Sequence, residues 1–187
     1  MRTKVPGNRI AGGEANSLAR TGIYVFALAN AQPRDIVVGR LGSFRFDRGL
    51  YLYVGSARGP GGLKARLRHH WQAAPSPRWH LDYLRAQTRP AAAWIGLDGR
   101  QRECAWAARL GDERSLTAGP GGFGASDCRC PTHLFFCADA GLPSADCPLA
   151  LARRLAIVLS SSAWLDRRTL AAALGYAPDG DPRGDQQ

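Results

Sequence analysis

Tyrosine, arginine and histidine side chains cluster in one stretch, residues 50–70, around a turn of glycine and proline. Tyr53 and Gly55 stand before the turn. Arg66 and His70 follow it at an i,i+4 spacing, which places them on one face of a helix. The N-terminus of such a helix carries free N–H groups and a partial positive charge, so it attracts anions. A phenol at a strand end, an anion-binding turn and an Arg/His helix face together indicate a phosphodiester site.

Two elements must hold these side chains in place. Residues 50–55 alternate large apolar and aromatic side chains, which predicts a half-buried strand. The helix would begin near Gly61 or Gly62 and turn Leu63 and Leu67 inward. A strand, a glycine-rich loop and a helix also occur as a plain connection. The stretch lacks both the Walker A pattern and the dinucleotide-binding fingerprint.

The rest of the chain predicts a mixed α/β (α+β) domain. Its first half indicates an antiparallel meander whose last strand leads into the basic helix. Strands are predicted over 21–29, 36–38, 43–46, 91–97 and 132–137, and helices over 78–85, 103–110, 148–162 and 164–174. In the helix over 103–110 we expect Cys104, Ala107 and Ala108 to form the apolar side.

The domain organisation follows from composition. We expect a flexible arm over 1–20, a main folded domain over 21–137, a helical extension over 138–177 and a disordered tail over 178–187. The long Gly/Ser/Thr-rich segment 114–131 is typical of a functional or disordered loop.

Arginine dominates the charge. The 187 residues carry a formal net charge of +10, and lysine occurs only as Lys4 and Lys64. Arginine forks onto phosphates and stacks on bases, so this excess favours a nucleic-acid partner. A GC-rich coding sequence would explain the preference for arginine over lysine but not the net charge.

The cysteines indicate a reducing compartment. The sequence shows no signal peptide and no apolar run long enough to span a bilayer, so we expect a cytoplasmic protein without a membrane partner. Cys128-x-Cys130-x-x-His133, with Cys104 or Cys137, is a conceivable zinc motif. Its spacing is unusual for zinc, so reduced thiols that pack a loop are favoured and zinc is not expected.

Several short strings, in order, resemble the GIY-YIG nuclease superfamily. Gly22-Ile23-Tyr24 is followed by Tyr53-Val54-Gly55, Arg66, His70 and Glu103, and the closest likeness is to the Uri-type endonucleases. Five strings carry that likeness: 39–42, 53–57, 61–66, 79–84 and 126–134. The resemblance covers roughly residues 21–137 and leaves out the C-terminal helices.

This resemblance implies a three-stranded antiparallel sheet flanked by helices and phosphodiester cleavage that depends on Mg²⁺ or Mn²⁺. It also implies that Tyr24 and Tyr53 meet from adjacent strands. The chain departs from the pattern at two points. The separation of the two tyrosines predicts an extra hairpin between them, and Ser126 or Asp127 replaces the late asparagine that many relatives use.

Catalytic roles can be proposed for the resembling residues, because hydrolysis needs a base, positive charge and help for the leaving oxygen. We expect Tyr53 to act as general base with Tyr24 hydrogen-bonded nearby, and the sequence leaves open which of the two tyrosines is the base. Arg66 would hold the phosphate, His70 would position water or the leaving group, and Glu103 would bind the metal ion. His69 and Glu113 are the alternatives for the last two roles.

Other residues are expected to line the site or bind nucleic acid: Gly55, Ser56, Arg58, Arg68, His80, Asp82, Ser126 and Asp127. Arg58 and Arg68 are equally compatible with solvated charges, and His80 and Asp82 with capping of the second helix. The expected partner is single- or double-stranded DNA, with RNA left open. The alternative is a non-catalytic nucleic-acid-binding module in which Trp71 and Trp79 stack on bases. A phosphate-recognising small-molecule enzyme is less favoured.

Overall fold

The computed structural model describes residues 18–97, 102–138, 147–161 and 163–177, and these residues form eight strands and five α-helices. The strands are β1 (Gly22–Asn30), β2 (Arg34–Val38), β3 (Gly42–Phe46), β4 (Gly49–Ala57), β5 (Arg89–Gly96), β6 (Thr117–Ala118), β7 (Leu134–Cys137) and β8 (Ala163–Asp166). The helices are α1 (Gly62–Trp71), α2 (His80–Arg85), α3 (Glu103–Gly111), α4 (Leu149–Val158) and α5 (Arg167–Leu174).

A six-stranded antiparallel sheet, in the order β6-β7-β4-β1-β5-β8, forms the centre of the fold. The predicted α/β class, an antiparallel sheet flanked by helices, is therefore confirmed. The sheet is larger than the three strands that the resemblance implies, because β7 and β6 extend it beyond β4 and β8 extends it beyond β5.

The hairpin expected between Tyr24 and Tyr53 is present as β2–β3, which forms a separate two-stranded sheet. The predicted meander is wrong, since β1 pairs directly with β4. The burial patterns explain this arrangement. Strands β1 and β4 are almost continuously buried and belong inside a sheet with both faces covered, whereas β2 and β3 alternate with exposed positions.

The sheet separates two hydrophobic cores. Along β1, Tyr24 and Phe26 face the core that contains the predicted inward residues Leu63 and Leu67 of α1. The opposite core includes Trp106 and other residues of α3 and α4. Helix α3 buries Trp106, Ala107 and Leu110 there, so the predicted apolar side through Cys104 and Ala108 is wrong at these two positions, which are at least partly exposed.

The C-terminal part adds a strand as well as two helices. Helix α4 buries Leu151 and Leu155, and Leu159, which directly follows the helix, is also buried. The helix predicted over 164–174 begins only at residue 167, because the preceding segment pairs with β5 as β8. Asp166 Oδ1 accepts a hydrogen bond of 2.8 Å from the Thr169 N–H and caps α5.

The two predicted terminal segments fall mostly beyond this description. Residues 1–17 of the arm and the whole tail over 178–187 lie outside the described residues, and Leu18 is fully buried. Among the helices described here, none combines the length and apolar character that crossing a membrane requires.

Candidate functional site

A cleft of about 360 Å³ opens where β1, β4, α1 and α3 meet the loop that precedes β7. Most of the predicted site residues line it: Tyr24, Tyr53, Gly55, Ser56, Arg66, His70, His80, Glu103, Ser126 and Asp127. Arg78, Trp79, Gly124 and His133 complete the lining. The cleft therefore collects phenols, imidazoles, guanidinium groups and carboxylates from distant parts of the chain.

Three predicted site residues do not line the cleft. Arg58 is exposed and pairs with Glu103 across 3.4 Å, while the Arg68 guanidinium lies 5.7 Å from the centre of the Tyr176 ring. Asp82 is buried and accepts hydrogen bonds from the backbone N–H groups of residues 78 and 79, so it caps α2. Of the two functions open to Asp82, the structure therefore supports capping.

The Tyr24 phenol is hydrogen-bonded to a histidine. Strand register sets Tyr24 opposite Gly55, and a Cβ at Gly55 would lie 2.4 Å from the Tyr24 hydroxyl, so glycine makes room for the phenol. The Tyr24 Oη lies 2.7 Å from His70 Nε2. Tyr24 and Tyr53 come from adjacent strands as expected, and their ring centres are 6.5 Å apart. The Tyr24 hydroxyl group, which was expected to be hydrogen-bonded close to Tyr53, is hydrogen-bonded to His70 instead.

Burial keeps these three groups neutral at physiological pH. It raises the pKa of Tyr24 well above its usual value, with a further increase from Tyr53. It raises the pKa of Tyr53 to about 12, although Arg66 opposes the change. It lowers the pKa of His70 well below the usual value, and neighbouring His69 and Arg66 add to this effect. A neutral His70 can accept a proton.

A buried arginine fixes the turn that carries His70. The carbonyl groups at the C-terminal end of a helix lack partners within the helix. Arg85 donates from Nε to the His70 carbonyl at 2.9 Å, from another nitrogen to the Thr88 carbonyl at 2.7 Å, and from the third to the Trp71 carbonyl. The guanidinium therefore joins the end of α1 to the end of α2.

An exposed tryptophan positions Arg66. The Arg66 guanidinium lies 4.1 Å from the centre of the Trp79 ring, a cation–π contact, and Trp79 is 38% exposed. His69 packs edge-on against the same ring and hydrogen-bonds to Asp82 at 2.9 Å. His69 thus supports Trp79. His70, which the sequence favoured over His69 for positioning water or the leaving group, lines the cleft.

Glu103 places a carboxylate in the cleft from the first turn of α3. Its Oε1 accepts a hydrogen bond of 3.2 Å from Ser56 Oγ. Glu113, the alternative carboxylate, instead pairs with Arg154 and does not line the cleft. Glu103 and Asp127 both line the cleft and offer carboxylate oxygen atoms, the ligands that hard divalent cations prefer. The two residues therefore fit Mg²⁺ or Mn²⁺.

His80 holds the loop that closes the cleft. Its Nδ1 accepts a hydrogen bond of 3.0 Å from the Gly124 N–H, so the proton of the neutral ring resides on Nε2. Burial lowers the pKa of His80, which favours this neutral form. His80 thus both caps a loop amide and lines the cleft.

The sequence did not indicate all the residues that line the cleft, and one tryptophan was wrongly expected to bind nucleic acid. Arg78 adjoins the string 79–84, and this adjacency was the one signal for it. His133 lies in the string 126–134 and was considered as a zinc ligand, but not as a residue that lines the cleft. Trp71 is fully buried and stacks on Tyr176, so the expectation that it stacks on bases is wrong.

The close fit at Gly55 leads to a stability prediction. A methyl group there would force the buried Tyr24 phenol to move, and overpacking of this kind costs about 1–3 kcal/mol. We therefore expect Gly55→Ala to lower the free energy of unfolding by that amount in urea denaturation. Gly59→Ala is the matched control, because a Cβ at Gly59 has no neighbour within 4 Å. Equal stability of the two variants would contradict the packing argument.

Sequence comparison places the cleft within a recognised family. No curated protein and no solved structure matches the chain significantly. One family model, described as "Domain of unknown function DUF123", matches residues 23–155, which is more than half of the chain and includes every residue that lines the cleft. The chain therefore belongs to the family of the domain of unknown function DUF123.

Proposed function

We propose that this protein is a metal-dependent endonuclease of the GIY-YIG type that hydrolyses phosphodiester bonds in DNA. The single observation that carries the proposal is that Tyr24, Tyr53, Arg66, His70 and Glu103 line one cleft although they come from four different elements. The order of the strings that resemble the Uri-type endonucleases gives further support.

Arg66 is the proposed phosphate ligand. A guanidinium can donate two parallel hydrogen bonds to phosphate oxygens, and its charge stabilises the additional negative charge of the transition state. Contact with Trp79 limits the motion of Arg66 before the substrate binds. Arg78, which also lines the cleft, is available for a neighbouring phosphate.

Tyr24 is the better candidate for the base than Tyr53, which the sequence favoured. Each phenol is protonated, so it accepts a proton only if it passes on its own, and Tyr24 has His70 Nε2 as acceptor at 2.7 Å. In the proposed step, the oxygen of a water molecule bonds to phosphorus and its proton moves to Tyr24 Oη. The Tyr24 proton moves to His70, and the bond from phosphorus to the leaving oxygen breaks. The leaving oxygen takes a proton from solvent.

Glu103 is the proposed metal ligand, and Ser126 and Asp127, which line the same cleft, would supply further oxygen atoms. Mg²⁺ or Mn²⁺ bound there would neutralise phosphate charge. Ser56 and Arg58 orient the Glu103 carboxylate through their hydrogen bonds.

The second candidate function is a non-catalytic nucleic-acid-binding module. The observation that favours it is Trp79, whose exposed ring at the cleft offers a stacking surface for a base. The net charge of +10 suits either function.

Incubation with DNA distinguishes the two functions. We expect the full chain to cut labelled single- or double-stranded DNA with Mg²⁺ or Mn²⁺ and to leave it intact with a chelator. Strand binding without cleavage, in all divalent metals tested, would overturn the endonuclease proposal and support the binding module. Binding should weaken steeply as salt rises, because backbone contacts release counterions.

The metal requirement should depend on Glu103. Loss of a group that holds or orients a metal typically weakens binding by about 10–100-fold, so Glu103→Gln should raise the Mg²⁺ concentration needed for half-maximal cleavage by that factor. Glu113→Gln is the control, since Glu113 pairs with Arg154 outside the cleft lining. Identical Mg²⁺ dependence of wild type and Glu103→Gln would remove Glu103 from the metal site.

A further inference from the structure

Three thiols and an imidazole meet beside the cleft. Cys104, Cys128, Cys130 and His133 each offer one ligand atom, and these four atoms all lie within 4.8 Å of one another. The Cys128 Sγ and His133 Nε2 atoms are 3.4 Å apart. Sulfur and nitrogen ligands on tetrahedral zinc are about 3.5–3.8 Å apart, as follows from the bond lengths. The cluster is therefore close to the size of a four-ligand zinc centre.

The exposure of the thiols argues against simple packing. A cysteine that serves as a small hydrophobic residue is usually fully buried, as Cys137 is here. Cys104, Cys128 and Cys130 are each only partly buried, although they converge on one point. All five cysteines of the chain lie within the described residues and are free thiols. The sequence favoured packing because the Cys-x-Cys spacing is unusual for a zinc site.

We propose that Cys104, Cys128, Cys130 and His133 bind one Zn²⁺ ion, or a similar thiophilic divalent cation, as a structural site. Four protein ligands fill a tetrahedral coordination sphere and leave no open position, which is characteristic of structural rather than catalytic zinc. The soft sulfur donors also separate this site from the oxygen donors around Glu103.

The site would connect two parts of the candidate active site. Cys104 lies in the first turn of α3 directly after Glu103, and Cys128 directly follows Asp127. One ion bound to both cysteines would tie the start of α3 to the loop before β7. The ion would thereby fix the positions of both carboxylates, without taking part in the reaction.

Metal analysis of the full chain tests the proposal without any nucleic acid. Protein purified under reducing conditions, loaded with Zn²⁺ and desalted should hold about one Zn²⁺ per chain. Cys104→Ser and Cys130→Ser should lower the affinity by roughly 100-fold or more, since even partners behind the ligands contribute 10–100-fold. Cys147→Ser is the matched control, because Cys147 lies outside the cluster and should leave the metal content unchanged.

Cobalt provides a second readout that requires no variant. Co²⁺ bound to the wild-type protein should show thiolate-to-cobalt charge-transfer absorption and strong visible bands typical of tetrahedral coordination, and Zn²⁺ should abolish both. Weak octahedral bands alone, or zinc content unaffected by Cys104→Ser and Cys130→Ser, would overturn the proposal. Because neither readout involves DNA, failure of the endonuclease proposal and failure of the zinc site are distinguishable.

Discussion

Arg66→Ala is expected to lower the rate of DNA cleavage by about 100–1000-fold, the range found when one preorganised donor to a transition state is removed. The Arg66 guanidinium is preorganised by an aromatic contact, since it lies 4.1 Å from the centre of the Trp79 ring. Single-turnover cleavage of labelled DNA at saturating enzyme isolates this effect on chemistry from weaker binding.

Two further variants sharpen the Arg66 test. Arg66→Lys keeps the charge but loses the planar fork, so it should recover only part of the rate. Arg45→Ala removes an exposed arginine of the β2–β3 hairpin that pairs with Asp35 at 3.2 Å and does not line the cleft, so this variant should cut DNA at the wild-type rate. Wild-type cleavage by a folded Arg66→Ala protein would exclude Arg66 as the phosphate ligand.

Tyr24→Phe is expected to lower the cleavage rate by about 100–10,000-fold, the usual contribution of a positioned acid or base. Phenylalanine keeps the ring but removes the oxygen that lies 2.7 Å from His70 Nε2. Tyr53→Phe removes the comparable hydroxyl from the neighbouring strand and should have a much smaller effect. The reverse ranking would assign the base to Tyr53.

The pH dependence gives an independent check on the Tyr24–His70 pair. The proposed transfer requires neutral His70, and burial lowers the His70 pKa well below the usual 6.5. Wild-type cleavage should therefore stay constant as the pH falls to 6.5 and decline only below that value. The same shift implies that folding stability decreases as pH falls below 6.5, because the unfolded chain then binds the additional proton. Circular dichroism at each pH separates loss of activity from unfolding.

The sequence was sufficient to predict the elements whose pattern is local. Strand β4, the turn after it and helix α1 follow from alternation, glycine and the Leu63/Leu67 spacing, and the hairpin follows from the separation of the tyrosines. Strand β8 was missed because its four residues directly precede α5 and continue the apolar pattern of that helix. Pairing with β5, which the local pattern does not show, decides the conformation of these residues.

The candidate site was predictable by residue type rather than by contact. Ordered strings named Tyr24, Arg66, His70 and Glu103, all of which line the cleft. Their partners depend on how distant elements pack. The hydrogen bond of Tyr24 to His70 and the approach of Cys104 to the loop cysteines are set by tertiary structure, and neither leaves a spacing signal in the chain.

The Arg85 guanidinium has a consequence for the dynamics of the proposed proton acceptor. Helix ends ordinarily fray, and His70 belongs to the final turn of α1, where such opening would be fastest. With the carbonyl groups of His70 and Trp71 both bound by Arg85, a residue that is only 1% exposed, this turn opens only when the arginine side chain leaves the protein interior. The position of the His70 side chain should therefore be kept on heating until the whole protein unfolds cooperatively, rather than being lost earlier when the last turn of α1 unfolds locally.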